Sequence, residues 1–171
     1  MDPAAPQSTD AGTGNETAGA VARPPLLFLG ALLLGFAVDH LLPLPRPVPG
    51  VGLGHTVGTV IAGAFILGGV AIFAAAIRNF AGAATPVQGT KPVTALVTTG
   101  IHGLSRNPIY LGMFLIYIGI GLVVRSPWIL ILVLPLALLI RYGVVAREEA
   151  YLERRFGNAF RDYKARVRRW L

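Results

Sequence analysis

Four apolar runs, separated by polar segments of unequal length, set the pattern of the chain. The first, residues 25–44 (PLLFLGALLLGFAVDHLLPL), would extend about 30 Å as a helix, the thickness of a bilayer's hydrocarbon core. Pro24 and Pro25 suit a helix start, where a missing N–H costs little, and the prolines from Pro43 to Pro49 end the run. The second, residues 57–77, is rich in Gly and Ala, which lets helices approach closely in lipid. The third and fourth, residues 108–124 and 128–146, are separated only by Arg125-Ser126-Pro127, which predicts a tight helical hairpin. Pro135 lies inside the fourth run and predicts a kink there.

The polar segments differ in kind. Residues 1–22 have neither apolar periodicity nor a basic stretch before the first run, and are read as a disordered tail rather than a signal peptide. Residues 79–107 form a long loop rich in Gly, Thr and Pro, of a length that often carries function. Residues 147–171 are densely charged. Leu152, Phe156, Phe160, Tyr163, Val167 and Trp170 nonetheless recur every three or four positions, so a helix here has one apolar stripe, broken at Gly157-Asn158. This pattern predicts an amphipathic helix on the membrane surface, acting as a docked lid. A purely electrostatic anchor is the alternative. The expected fold is therefore all-α and integral to the membrane. It has about four spans in one domain, residues 23–171, and a cytoplasmic amphipathic C-terminal helix.

Composition sharpens this reading. Charged residues make up 13% of the chain, about half the share usual in soluble domains, and mean hydropathy is +0.63. The chain has no cysteine, which removes disulfides, thiolate metal sites and a cysteine nucleophile. The histidines are scattered, so no metal site is expected. The net charge of +7 flanks the apolar runs, which argues for membrane topology and against nucleic acid. With four spans, one side holds Arg23, Arg78, Lys91, Arg106 and every Lys and Arg from Arg141 onward. The other side holds Arg46 and Arg125. The imbalance puts both termini and the 79–107 loop in the cytoplasm. The abundance of Ala, Gly and Arg suits a GC-rich bacterial genome, and the membrane is then read as the bacterial plasma membrane.

Two polar clusters would then meet at the cytoplasmic ends of the spans. One runs from Thr98 through Arg106-Asn107-Pro108-Ile109-Tyr110 into the third run, and the other is Arg147-Glu148-Glu149. An arginine facing two carboxylates suits a ligand carrying both a carboxylate and a cation. The plainer alternatives are a snorkelling Arg106 and solvated glutamates in a helix's first turn.

These residues bring a family into view. Thr99-Gly100, Arg106-Asn107-Pro108-Ile109-Tyr110-Leu111-Gly112, Glu148-Glu149, Leu152, Phe156-Gly157, Tyr163, Arg166-Val167 and Arg169 follow one another at the family's spacing. In this the chain resembles the isoprenylcysteine carboxyl methyltransferases, which are related to the phospholipid N-methyltransferases. The resemblance covers residues 96–170. Asn107 stands where founding members have His, Ile101-His102-Gly103 replaces Pro-Tyr-Arg, and Phe160 replaces a frequent Tyr. The glycine pattern that phospholipid methyltransferases carry before the long loop is not clear here.

The resemblance implies an S-adenosylmethionine-dependent methyltransferase acting on a lipophilic acceptor taken from the bilayer. It implies cofactor binding by Thr99, Gly100, His102, Arg106, Asn107, Pro108, Tyr110, Glu148 and Glu149, with Arg106 and Tyr110 also catalytic. The alternative is a non-catalytic lipid-binding or assembly protein that kept the fold.

Overall fold

The structure is a computed structural model and describes residues 23–44, 54–87 and 93–171. The expected tail 1–22, the Pro-rich turn with Arg46, and Lys91 lie outside the described residues. Among the described residues six α-helices follow in order: α1 (Pro24–Leu41), α2 (Gly54–Gly82), α3 (Pro108–Val123), α4 (Pro127–Leu139), α5 (Ala146–Phe156) and α6 (Asn158–Arg166). A short 3₁₀ turn, Gly100–Gly103, precedes α3, and no strand occurs among the described residues.

Prolines open three of these helices, Pro24 in α1, Pro108 in α3 and Pro127 in α4, as their missing N–H allows. The α3–α4 hairpin is as tight as expected. Arg125 takes a left-handed conformation (φ 53°), and the Ser126 Oγ accepts from the Ile129 N–H at 3.3 Å to cap α4.

Among the described residues three helices are long and apolar enough to cross a membrane: Pro24–Leu41, Thr56–Gly82 and Pro127–Phe156. The shorter apolar helix Pro108–Val123 is 16 residues, about 24 Å at the α-helical rise. The protein is therefore an all-α membrane protein. In chain order α2 packs along α3, α3 folds back on α4, and α4 packs along α1. No water-driven force joins helices within lipid, so their contact relies on close packing. At Gly69 and Gly112 a Cβ would stand 2.6–2.7 Å from the facing glycine's carbonyl oxygen, so only glycine permits this approach of α2 to α3. Phe28 anchors α1 by edge-to-face contacts with Phe114 (4.8 Å) and Tyr117 (6.2 Å).

Three elements differ from the sequence expectation. α2 does not stop where its apolar run ends. It continues to Gly82, because nothing in Arg78-Asn79-Phe80-Ala81 breaks a helix, and Asn79 and Phe80 are thereby helical. The fourth span and the tail are not separate helices: α4 runs through a π-helical stretch, Ile140–Val145, directly into α5. The final helix ends at Arg166 rather than Leu171, with Val167 extended (φ −118°, ψ 130°). The predicted break at Gly157 is present, at φ 54°.

The apolar stripe of the tail is covered by protein rather than laid on a membrane surface. Leu152, Phe160 and Tyr163 are buried with Val93 and Tyr151 in a second core, against which Leu96, Phe156 and Val167 pack. The Tyr151 hydroxyl accepts from the Val93 N–H at 3.3 Å and ties α5 to the segment before the 3₁₀ turn.

Candidate active site

The site forms where three segments converge: the start of α3, the charged first turn of α5, and the end of α6. Glu148 and Glu149 face inward because the helix leaving the span continues unbroken, which carries its first polar turn under the loop before α3. Both are buried, at 2% and 8% relative exposure, so the solvated reading of these carboxylates is excluded. Arg106 is equally enclosed and is no snorkelling anchor. Its Nη2 donates to Glu149 Oε1 at 2.9 Å, and its side chain is only 9% exposed.

Arg106 does more than pair with a carboxylate. Its Nη1 donates to the carbonyls of Lys164 and Val167, both at 2.9 Å, and so caps the otherwise unsatisfied C-terminus of α6. One guanidinium therefore fastens α3, α5 and α6 together. Its Nε is buried without a partner. On the other side of Glu149, Arg169 donates from Nη2 to Oε2 at 2.6 Å and from Nε to Oε1 at 3.1 Å. That hydrogen-bonded pairing holds the Arg169 guanidinium more firmly protonated than usual.

Glu148 sits deeper. Tyr110, one turn into α3, donates its hydroxyl to Glu148 Oε1 at 2.7 Å. The other oxygen, Oε2, is buried with no partner. A buried carboxylate oxygen left so is costly, which marks it as a place for a donor or a cation.

His102, buried in the 3₁₀ turn before α3, lines the pocket from the loop side. Its ring stands edge-on to Phe80 at 5.0 Å, and the Asn79 amide lies 3.3 Å from its Nδ1. That amide also donates to the Thr99 carbonyl at 2.7 Å, so Nδ1 is the acceptor and the proton belongs on Nε2. Burial pushes the His102 pKa down to about 4, which keeps the ring neutral and makes it a poor proton acceptor near neutrality. The Tyr163 hydroxyl donates to the His102 carbonyl at 2.7 Å, and burial pushes its own pKa up to about 12.

The geometry brings His102, Arg106, Asn107, Glu148 and Glu149 around one pocket, walled by Phe160 and Tyr163. Tyr110 reaches it through Glu148, and Pro108 is buried at the start of α3. Thr99 and Gly100 are exposed and do not line it. Gly100 serves the backbone instead: it has φ +58°, and a Cβ there would lie 2.5 Å from the Asn79 amide.

Asn79, Phe160, Tyr163 and the inward aim of Arg169 are further parts of the site. The apolar periodicity placed Phe160 and Tyr163 on the correct face. Arg169, one basic residue of a basic tail, turns inward to Glu149, and Asn79, the first residue of the loop read from sequence, lies within α2. The remaining space among the lining side chains is about 10 Å³, room for one water.

Comparison with known proteins bears directly on this arrangement. The model of the family described as phospholipid methyltransferase matches residues 57–159. The chain belongs to the phospholipid methyltransferase family. The match runs from α2 into α6 and takes in Asn79, His102, Arg106, Tyr110, Glu148 and Glu149, while Tyr163 and Arg169 lie beyond it. The protein is thus a membrane protein of a methyltransferase family associated with lipids, consistent with the kinship read from its motifs. The chain is also 56% identical, over 34 residues, to an uncharacterised protein of Haemophilus influenzae, which covers 20% of this chain and 54% of the relative. The chain thus spans about half the length of the curated relative it matches. No solved structure matches it.

Proposed function

We propose that the protein transfers a methyl group from S-adenosylmethionine to a lipophilic acceptor. The observation that carries the reading is the pair of buried, unpartnered polar atoms of opposite charge, Arg106 Nε and Glu148 Oε2, on residues that line one pocket. A ligand with a carboxylate and cationic centres fits that donor set in kind. When bound, the cofactor supplies a methyl group activated by its sulfonium.

The chain's own residues supply binding and orientation. Arg106 takes the carboxylate, and Glu148 and Glu149 favour the cationic centres. Tyr110 is a positioning residue that fixes Glu148. Asn107 and His102 border the pocket and exclude water. An acceptor carboxylate is already ionised and needs no base, so alignment and desolvation provide most of the rate. An amine or thiol would pass its proton to the open Oε2 of Glu148, with neutral His102 the poorer acceptor. Isoprenylcysteine and an isoprenoid acid are acceptors of the first kind, and a lipid amine and an apolar thiol are acceptors of the second.

Isothermal titration of the detergent-purified protein with adenosylhomocysteine tests the reading. Saturable binding, with transfer of labelled methyl from the cofactor to membrane lipid extract, is the expected result. Absence of both overturns the reading in favour of a non-catalytic member of the family.

We also assign the site to the cytoplasmic face of a bacterial plasma membrane. The support is the concentration of Arg and Lys at Arg78, Arg106 and from Arg141 onward, against Arg46 and Arg125 across the membrane. Reporter fusions after Pro49 and after Leu171 should fall on opposite sides. Both on one side would refute the orientation.

A further inference from the structure

Residues 167–171 form no helix and lie against the site, with Arg169 bonded to Glu149. Their backbone is held by the start of α3. The Arg106 N–H donates to the Arg168 carbonyl at 3.0 Å. The Arg169 carbonyl accepts from Asn107 Nδ2 at 3.1 Å and Ser105 Oγ at 3.4 Å. Trp170 then lies edge-on to Phe114 of α3, with ring centroids 6.1 Å apart. The Arg169 side chain turns back into the site and grips both oxygens of Glu149.

The pocket admits one water, far less than any ligand bearing both an ammonium and a carboxylate, and Arg169 occupies both oxygens of its lining residue Glu149. Arg169 also differs from Arg106 in enclosure. Its side chain is 31% exposed against 9% for Arg106, so it regains solvent easily on leaving. The segment lies past residue 159, the end of the family match, and is not itself helical.

We infer that residues 167–171 are an internal ligand of the site, a strap in which Arg169 holds Glu149 in place of a cationic ligand and which must leave before such a ligand enters. The inference rests on the cofactor reading above and adds to it a competition. A strap closed about nine-tenths of the time would reduce a ligand's apparent affinity about tenfold.

The chain's two tryptophans make this measurable. Trp128 donates to the Leu42 carbonyl at the far end of α4, so Trp128→Phe leaves Trp170 as the sole reporter in an otherwise intact protein. In that background, adenosylhomocysteine should red-shift Trp170 emission as the ring leaves Phe114. Arg169→Gln should show the shift without ligand and bind adenosylhomocysteine about tenfold more tightly. Arg169→Lys, which keeps the charge but loses the two-point grip, should lie between.

Three results overturn the strap: unshifted emission in Arg169→Gln, weaker ligand binding in that variant, or binding to the parent with Trp170 emission unchanged. If neither parent nor Arg169→Gln binds adenosylhomocysteine but the variant's emission is shifted, the cofactor reading fails and the competition fails with it. The release of the segment then stands as a separate observation.

Discussion

Arg106→Ala should abolish adenosylhomocysteine binding and also loosen α6, although α6 lies more than fifty positions along the chain. The guanidinium contributes a buried ion pair to Glu149 and two hydrogen bonds to the end of α6. Its removal leaves Glu149 with Arg169 alone and returns the carbonyls of Lys164 and Val167 to an uncapped state. Breaking an enclosed pair costs up to about 3–5 kcal/mol, and here the buried charge loses one of its two partners while two helix-end carbonyls lose their donor. Here the cost is concentrated in the contact between α6 and the rest of the molecule.

Hydrogen exchange read by mass spectrometry should therefore show α6 opening at least about a hundredfold more readily, while α2 and α3 keep their protection. From sequence alone the same substitution would be expected to leave unfolding unchanged, since an arginine at a span end is easily taken for an isolated ligand group. Wild-type protection of α6 together with wild-type binding would show that Arg106 neither fastens the tail nor holds the ligand.

The charged members of the site were legible because membranes punish charge. Arg106, Glu148 and Glu149 stand out beside apolar runs, and their motif spacing ties them together. Pro108 declared the start of α3 for a local reason, its missing N–H. The parts that were not legible depend on geometry that no periodicity records. Asn79 follows the last apolar residues of its run, so hydropathy ends the helix there while the backbone continues to Gly82. The role of Tyr163 rests on one hydroxyl reaching the His102 carbonyl, and its ring merely continues a stripe. Arg169 is one basic residue among many in a basic tail, and its aim at Glu149 follows from the chain leaving helix at Val167. Thr99 and Gly100 show the reverse: they sit at motif positions, yet their work is to seat Asn79 rather than line the pocket. The tail's stripe was correctly seen as something to bury. Pattern alone does not distinguish a bilayer from the chain's own segment around Val93 and Leu96.

Truncation after Gly157 should leave a protein that still inserts, because the three helices long enough to cross and the α3–α4 hairpin all precede the cut. It should lose adenosylhomocysteine affinity by at least about a hundredfold and lose methyl transfer. The cut removes Phe160 and Tyr163, which wall the pocket, and exposes Val93, Tyr151 and Leu152. Loss of one buried Phe alone costs about 3–5 kcal/mol in a packed core, so no compensation for the missing wall is expected from α5. It also leaves Tyr110 and Glu148 open to water, which weakens every electrostatic contact the site makes. A cut after Arg166 removes the strap and, with Val167, one of the two carbonyls that Arg106 caps. It keeps Phe160 and Tyr163 and frees Glu149 from Arg169, so it should raise ligand affinity where the longer truncation abolishes it. Opposite signs from two cuts nine residues apart would separate α6 as wall from residues 167–171 as competitor. Wild-type turnover with labelled cofactor in the protein cut after Gly157 would show that α6 is no part of the site.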